Sequence, residues 1–169
     1  MKSSPLKIAI IGSLLVIIFA LIMHFTGNSY NKAVSYITYL IVVGTIVTSI
    51  YLYKKNDMND SMSFREGFWA GMQATLIFAV IGCIWMVVYI KVVNPEFMSV
   101  MKQMQMDEMM KRGMTDEQME KTLPMMEKFM SLPFMIVSAL LMYTVFGAIT
   151  SLITSAIMKN RSSNDLPTQ

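Results

Sequence analysis

With 169 residues, 54% of them apolar, and a mean hydropathy of +0.50, the chain holds 15% charged residues, well below the roughly one quarter of an ordinary soluble domain. The net charge is +3, and the Lys and Arg residues sit between or beside apolar blocks, which excludes the basic stripe with interleaved aromatics of a nucleic-acid binder. One cysteine, Cys83, lies inside an apolar run and excludes an intramolecular disulfide or a CxxC metal or redox site.

A helix needs about 20 mostly apolar residues to cross the hydrocarbon core, and four stretches qualify. They predict an all-α fold, an integral membrane four-helix bundle in a single domain. The first span covers about residues 6–25, with Lys7 near enough to its end to snorkel and His24 at the far border. Its exit, His24-Phe25-Thr26-Gly27, has no small-residue cleavage pattern, so it reads as a retained span.

The second span, about 33–53, is uncharged and carries Tyr36, Tyr39, Tyr51 and Tyr53 near its ends, where amphipathic rings favour the headgroup layer. Lys54 and Lys55 stop it. Ser63-Phe64-Arg65-Glu66 then reads as a capping box opening the third span, about 65–92, with Phe68 and Trp69 as interface anchors and Asn94-Pro95 as its end. The fourth span, about 133–158, opens at Pro133 and stops before Lys159 and Arg161. Residues 160–169 read as a disordered tail.

Between the third and fourth spans, residues 95–131 carry too many charges to cross a bilayer, and eleven of the twenty methionines fall between Met98 and Met130. Asn94-Pro95-Glu96 predicts a helix start, Gly113 a left-handed stop, and Thr115 to Gln118 a second capping box. Pro124 is expected to kink or end the second helix. The segment thus reads as a Met-rich extramembrane helical hairpin.

Thioethers are soft ligands that suit Cu(I), which makes Met101, Met104, Met109 and Met110, with His24 as a helper, the candidate metal ligands. The competing reading is that methionine fills irregular gaps and adapts to a partner surface. A helical wheel scatters the sulfurs around the axis, which favours that second reading.

No ionisable residue lies in the span cores, although transporters and intramembrane enzymes ordinarily place one there. There is no Ser-His-Asp, HExxH, Walker or dinucleotide pattern, so no catalytic residue and no cofactor is expected. Gln73 and Thr75 are the deepest strongly polar side chains of span three and are expected to bond another helix. Gly67 and Gly71, and Gly147, Ser151 and Ser155, recur every four residues and form packing faces, either within one bundle or between two copies.

Several blocks together carry a resemblance: Ser63-Phe64-Arg65-Glu66-Gly67-Phe68, Asn94-Pro95, the break from Gly113-Met114-Thr115 to Met119-Glu120, and Phe146 to Ile153. Over almost its whole length the chain resembles the domain-of-unknown-function family numbered 4199, small bacterial four-span membrane proteins. The resemblance implies membrane location and architecture and brings no catalytic residue, substrate or partner.

The expectation is therefore a non-enzymatic accessory or interaction protein of the bacterial inner membrane. Its partners would be the lipid bilayer and a membrane protein or a second copy. Extracytoplasmic Cu(I) binding and small-solute permeation past Gln73 are the alternatives. Lys2, Lys7, Lys54, Lys55, Arg65, Lys159 and Arg161 outnumber Lys32 across the short connections and place both termini in the cytoplasm. The basic residues of the 95–131 segment pull the other way.

Overall fold

The computed structural model describes residues 3–160. Among them the chain is all-α: α1 (Ser3–Phe25), α2 (Lys32–Leu52), α3 (Phe64–Val88), α4 (Phe97–Lys111), α5 (Asp116–Phe129) and α6 (Leu132–Met158). Widened π-helical turns, Tyr53–Asp57 and Tyr89–Val93, follow α2 and α3. Four helical stretches, Ser3–Phe25, Tyr36–Asp57, Phe64–Val93 and Leu132–Met158, are long and apolar enough to span a membrane. The chain is a multi-pass membrane protein.

Two compact units are present, one formed by Met1–Gly82 with Leu141–Gln169, the other by Cys83–Leu140. In the first, Val42, Ile46 and Ile50 on α2, Met62 and Phe78 form a buried cluster, against which Val16, Tyr143 and Phe146 pack. All four span helices thus contribute to one core. The outer faces present Ile11, Leu15, Ile18 and Ile22 on α1 and Ile149, Leu152, Ile153 and Ile157 on α6. Apolar stripes of that extent would aggregate in water and suit hydrocarbon.

Local chemistry sets the helix ends. At the close of α1 Gly27 takes φ +71, and the Asn28 amide donates to the Met23 carbonyl at 2.8 Å, a stop that needs glycine because a Cβ clashes in the left-handed region. Asn31 then caps α2, its Oδ1 accepting from the Ala33 amide at 2.9 Å. At α3, Glu66 Oε2 accepts from both the Ser63 amide and the Ser63 hydroxyl at 2.8 Å, while Ser63 Oγ accepts from the Glu66 amide at 3.4 Å. The expected capping box is present.

The second unit holds the last turn of α3, the turn Tyr89–Val93, α4, α5 and the start of α6. Arginine 112 caps α4, and Gly113 at φ +78 turns the chain, its amide donating to the Met110 carbonyl and that of Met114 to the Met109 carbonyl. Thr115 and Gln118 form the second capping box, at 3.0 and 3.4 Å. Lys102 on α4 pairs with Glu127 on α5, and Met126 is the buried methionine of α5. Edge-to-face rings bracket the unit, Tyr89 on Phe97 at 5.7 Å and Phe129 on Phe134 at 4.8 Å.

Two local expectations change. Asn94 does not cap α4: its side-chain amide lies 3.5 Å from the Tyr89 hydroxyl, and α4 starts at Phe97 without a side-chain cap bond. Asn94 instead closes the π-helical turn, its backbone amide donating to the Tyr89 carbonyl at 2.7 Å, and Pro95 and Glu96 separate it from the first residue of α4. Pro124 does not end α5, which runs through it to Phe129. Proline removes the amide that would bond the Glu120 carbonyl, and both residues are exposed, so water can satisfy that oxygen. Of the sequence expected as a disordered tail, residues 161–169 lie outside the described residues. Asn160 is bound to the rest of the unit, as shown below.

Candidate functional site

The small residues of α3 and α6 meet face to face within the first unit. A Cβ built on Gly67 would stand 3.1 Å from Ser155 Cβ, one on Gly71 2.8 Å from Ser151 Cβ, and one on Gly147 2.8 Å from Thr75 Cβ. Gly67, Gly71 and Thr75 ascend α3 at four-residue intervals while Ser155, Ser151 and Gly147 descend α6 at the same spacing. Each small residue receives a neighbour's side chain. Gly12 does the same on α1, where a Cβ would meet Thr45 Cβ at 2.9 Å.

In hydrocarbon there is little hydrophobic force between helices, so such close backbone approach supplies the van der Waals attraction that holds them. Thr75 is buried, yet its hydroxyl donates to the Gly71 carbonyl of its own helix at 2.9 Å, where a bond to another helix was expected. Its methyl side lies against Gly147. Ser151 and Ser155 are fully buried with hydroxyl oxygens that have no conventional partner. Their nearest neighbours across the seam are the glycine positions, which suits weak Cα–H···O contacts.

At one end of this unit polar groups tie the helices together. The Asp57 carboxylate accepts from the Ser4 amide at the start of α1, at 3.3 Å, and the Lys54 ammonium donates to the Met158 carbonyl at the end of α6, at 2.9 Å. Both satisfy helix-terminal groups that have no partner inside the helix. Asn160 completes the arrangement: its Oδ1 accepts from the Met62 amide at 2.9 Å, its own amide donates to the Met62 carbonyl at 3.1 Å, and its Nδ2 donates to the Asp60 carbonyl. The loop it grips is bent by Asn59 and Asp60, which take φ +47 and +62. The short connection after α2 is therefore a hub for three chain segments.

Beside this hub opens a groove of about 230 Å³ lined by Tyr53, Arg65, Glu66, Trp69, Ala70 and Gln73. Residues 66, 69, 70 and 73 share one face of α3 at helical spacing, so the groove runs from charged to amide-bearing side chains. Among the described residues the side chains of Arg65 and Gln73 make no hydrogen bond or ion pair. Sequence reasoning singled out Gln73 and the cap but did not bring Tyr53, Arg65 and Trp69 to them. Their common position two turns or less from the span border was the available signal.

The four methionines proposed for metal binding stand on α4. Met101 and Met109 are half-buried, Met104 and Met110 exposed. At about 100° per residue, Met104 and Met109 lie on opposite sides of Met101, and Met110 lies across the axis from it. One helix cannot bring those four sulfurs to one ion. His24 belongs to the first unit, on α1, with its ring edge-on to Phe25 at 5.5 Å. No group of three His, Cys, Asp or Glu side chains with metal-binding geometry occurs among the described residues.

The model of the family described as "Protein of unknown function (DUF4199)" matches residues 7–160. The chain belongs to that family. The DUF4199 match runs from Lys7 on α1 to Asn160 of the clasp. None of the curated proteins and none of the solved structures matches the chain.

Proposed function

We propose that this DUF4199 member is a non-enzymatic accessory protein of the bacterial cytoplasmic membrane that binds another membrane protein through α5. The observation that carries this reading is the surface of α5 itself. Met125 is 62% and Phe129 50% exposed on a helix whose Glu117, Glu120, Lys121 and Lys128 are also exposed. An apolar pair set among charges suits a protein surface with a small hydrophobic anchor site.

The use of polar groups elsewhere supports the same reading. Buried Ser and Thr side chains of α3 and α6 serve the packing seam, while Lys54, Asp57 and Ser63 serve helix ends and Asn160 holds the loop between α2 and α3. With Lys7, Lys54, Lys55, Arg65 and Lys159 at the hub end, that end faces the cytoplasm under the positive-inside bias. Counted by spans alone, the charged 95–131 segment follows an odd number of crossings from the N-terminus and is then an extracytoplasmic pair of helices.

Photocrosslinking tests the partner reading. A photoreactive residue at Met125 or Phe129 should give a reproducible adduct to one membrane protein in native membranes, and the adduct should be absent for a probe at exposed Lys55. Adducts to lipid alone, with a strictly monomeric protein across detergents and lipid discs, would overturn it.

A further inference from the structure

The groove beside the hub has a chemistry that the packing of the protein does not explain. Its wall contains one positive group, Arg65, and one negative group, Glu66, adjacent in sequence, followed by an indole and an amide further along α3. The Ser63 and Glu66 amides beside it are engaged by the capping box, and the residues that line the groove offer a guanidinium, a carboxylate, an indole and an amide. Arg65 is exposed and has no partner among the described residues, and Gln73 is half-buried without one. A guanidinium presents a planar fork of donors that fits a phosphate through paired hydrogen bonds.

We infer that this groove binds the zwitterionic headgroup of a phospholipid, with the phosphate on Arg65 and the ammonium between Glu66 and the rings of Trp69 and Tyr53. Glu66 decides the headgroup class. Its carboxylate is held by Ser63 at 2.8 Å and keeps a negative charge in the wall, which repels a purely anionic headgroup and attracts an ammonium. Trp69 is 53% exposed and offers a ring face to the same cation.

The place in the membrane agrees. The groove starts at the first turn of a spanning helix, where Trp and Tyr side chains gather at the headgroup level. Gln73 lies about two turns further in, where its amide can donate to an oxygen of a lipid that reaches down the groove. Ala70 leaves room along the wall, and exposed Leu76 and Val80 continue α3 toward the hydrocarbon.

The test is native mass spectrometry of the full-length, delipidated protein titrated with phosphatidylethanolamine, phosphatidylglycerol of matched acyl chains, and soluble glycerophosphoethanolamine. The wild type should retain phosphatidylethanolamine in preference to phosphatidylglycerol. Arg65→Gln should lower that retention by about tenfold and Arg65→Lys by less, because the lysine keeps the charge without the fork. Glu66→Gln can still cap the helix and should abolish the preference between the two lipids. Arg65 points to solvent, so its arm stands even where the Glu66 variant melts early. Equal retention of the two lipids by the wild type, or no effect of Arg65→Gln, overturns the site. Binding of glycerophosphoethanolamine as tight as that of the lipid overturns the lipid assignment in favour of a soluble zwitterion.

Discussion

Ser151 on α6 sits in the space that a side chain at Gly71 on α3 would need, its Cβ 2.8 Å from the position of a glycine 71 Cβ. Ser155 and Thr75 repeat the relationship at Gly67 and Gly147. Three such steps fix both the distance and the sliding register of the two helices.

Replacing these glycines should therefore be costly in order of crowding. Gly147→Ala meets Thr75, whose Cβ is part of a buried side chain, and should destabilise the protein by about 1–3 kcal/mol, the usual cost of overpacking. Gly71→Leu should prevent recovery of folded protein. Gly44→Ala is the contrast, since nothing lies within 4 Å of a Cβ there. It should be neutral or stabilising by up to about 1 kcal/mol. Reversible unfolding in mixed micelles measures all three, and equal effects at Gly147 and Gly44 would contradict the seam.

Asn160→Ala removes two side-chain bonds from the loop that joins α2 to α3. A loss of roughly 1–2 kcal/mol is expected, one to two hydrogen bonds at a part-buried site. The backbone bond from the Asn160 amide to Met62 remains possible. Hydrogen exchange should show faster opening of the Met62 amide with little change in the middle of α2. Unchanged protection at Met62 would mean the clasp does not hold in solution.

The methionine quartet makes a negative prediction with a direct measurement. Changing Met101, Met104, Met109 and Met110 together to Leu preserves volume and apolar character and should leave helix content intact. Competition for Cu(I) against a chelator should be the same before and after. A tenfold or greater loss of affinity, about 1.4 kcal/mol, would show sulfurs converging by a route other than the surface of one helix.

Orientation can be read by labelling. With Cys83 replaced by Ala, single cysteines at exposed Asn56 and exposed Gln105 should differ in whole cells. Gln105 should react with a membrane-impermeant maleimide and Asn56 only after the membrane is opened. The reverse pattern would place the basic hub outside, and labelling of both in intact cells would contradict the single crossing, α3, between them.

The physics of single segments accounts for what was legible in the sequence. Long uncharged runs demand lipid because a spanning backbone must bond itself, and a capping box such as Ser63 to Glu66, or a glycine such as Gly113, acts within four residues. Those features depend on neighbours in the chain, and the pattern records them. Even here Asn94, expected as the cap of the next helix, closes the π-helical turn Tyr89–Val93, and α4 starts at Phe97, a turn that the short capping pattern does not record.

Pairing was decided by tertiary structure. The four-residue spacing of Gly67, Gly71, Gly147, Ser151 and Ser155 marked two sticky faces, but a spacing holds no information about which face meets which, or in which register. The fold turned them toward each other and set Ser151 on Gly71. It likewise carried Asn160 back to Met62, nearly a hundred residues earlier, and joined Tyr53 to the α3 wall where Arg65, Trp69 and Gln73 stand. Those meetings arise from the balance of close packing along whole helices, a sum over distant residues that local sequence pattern does not contain.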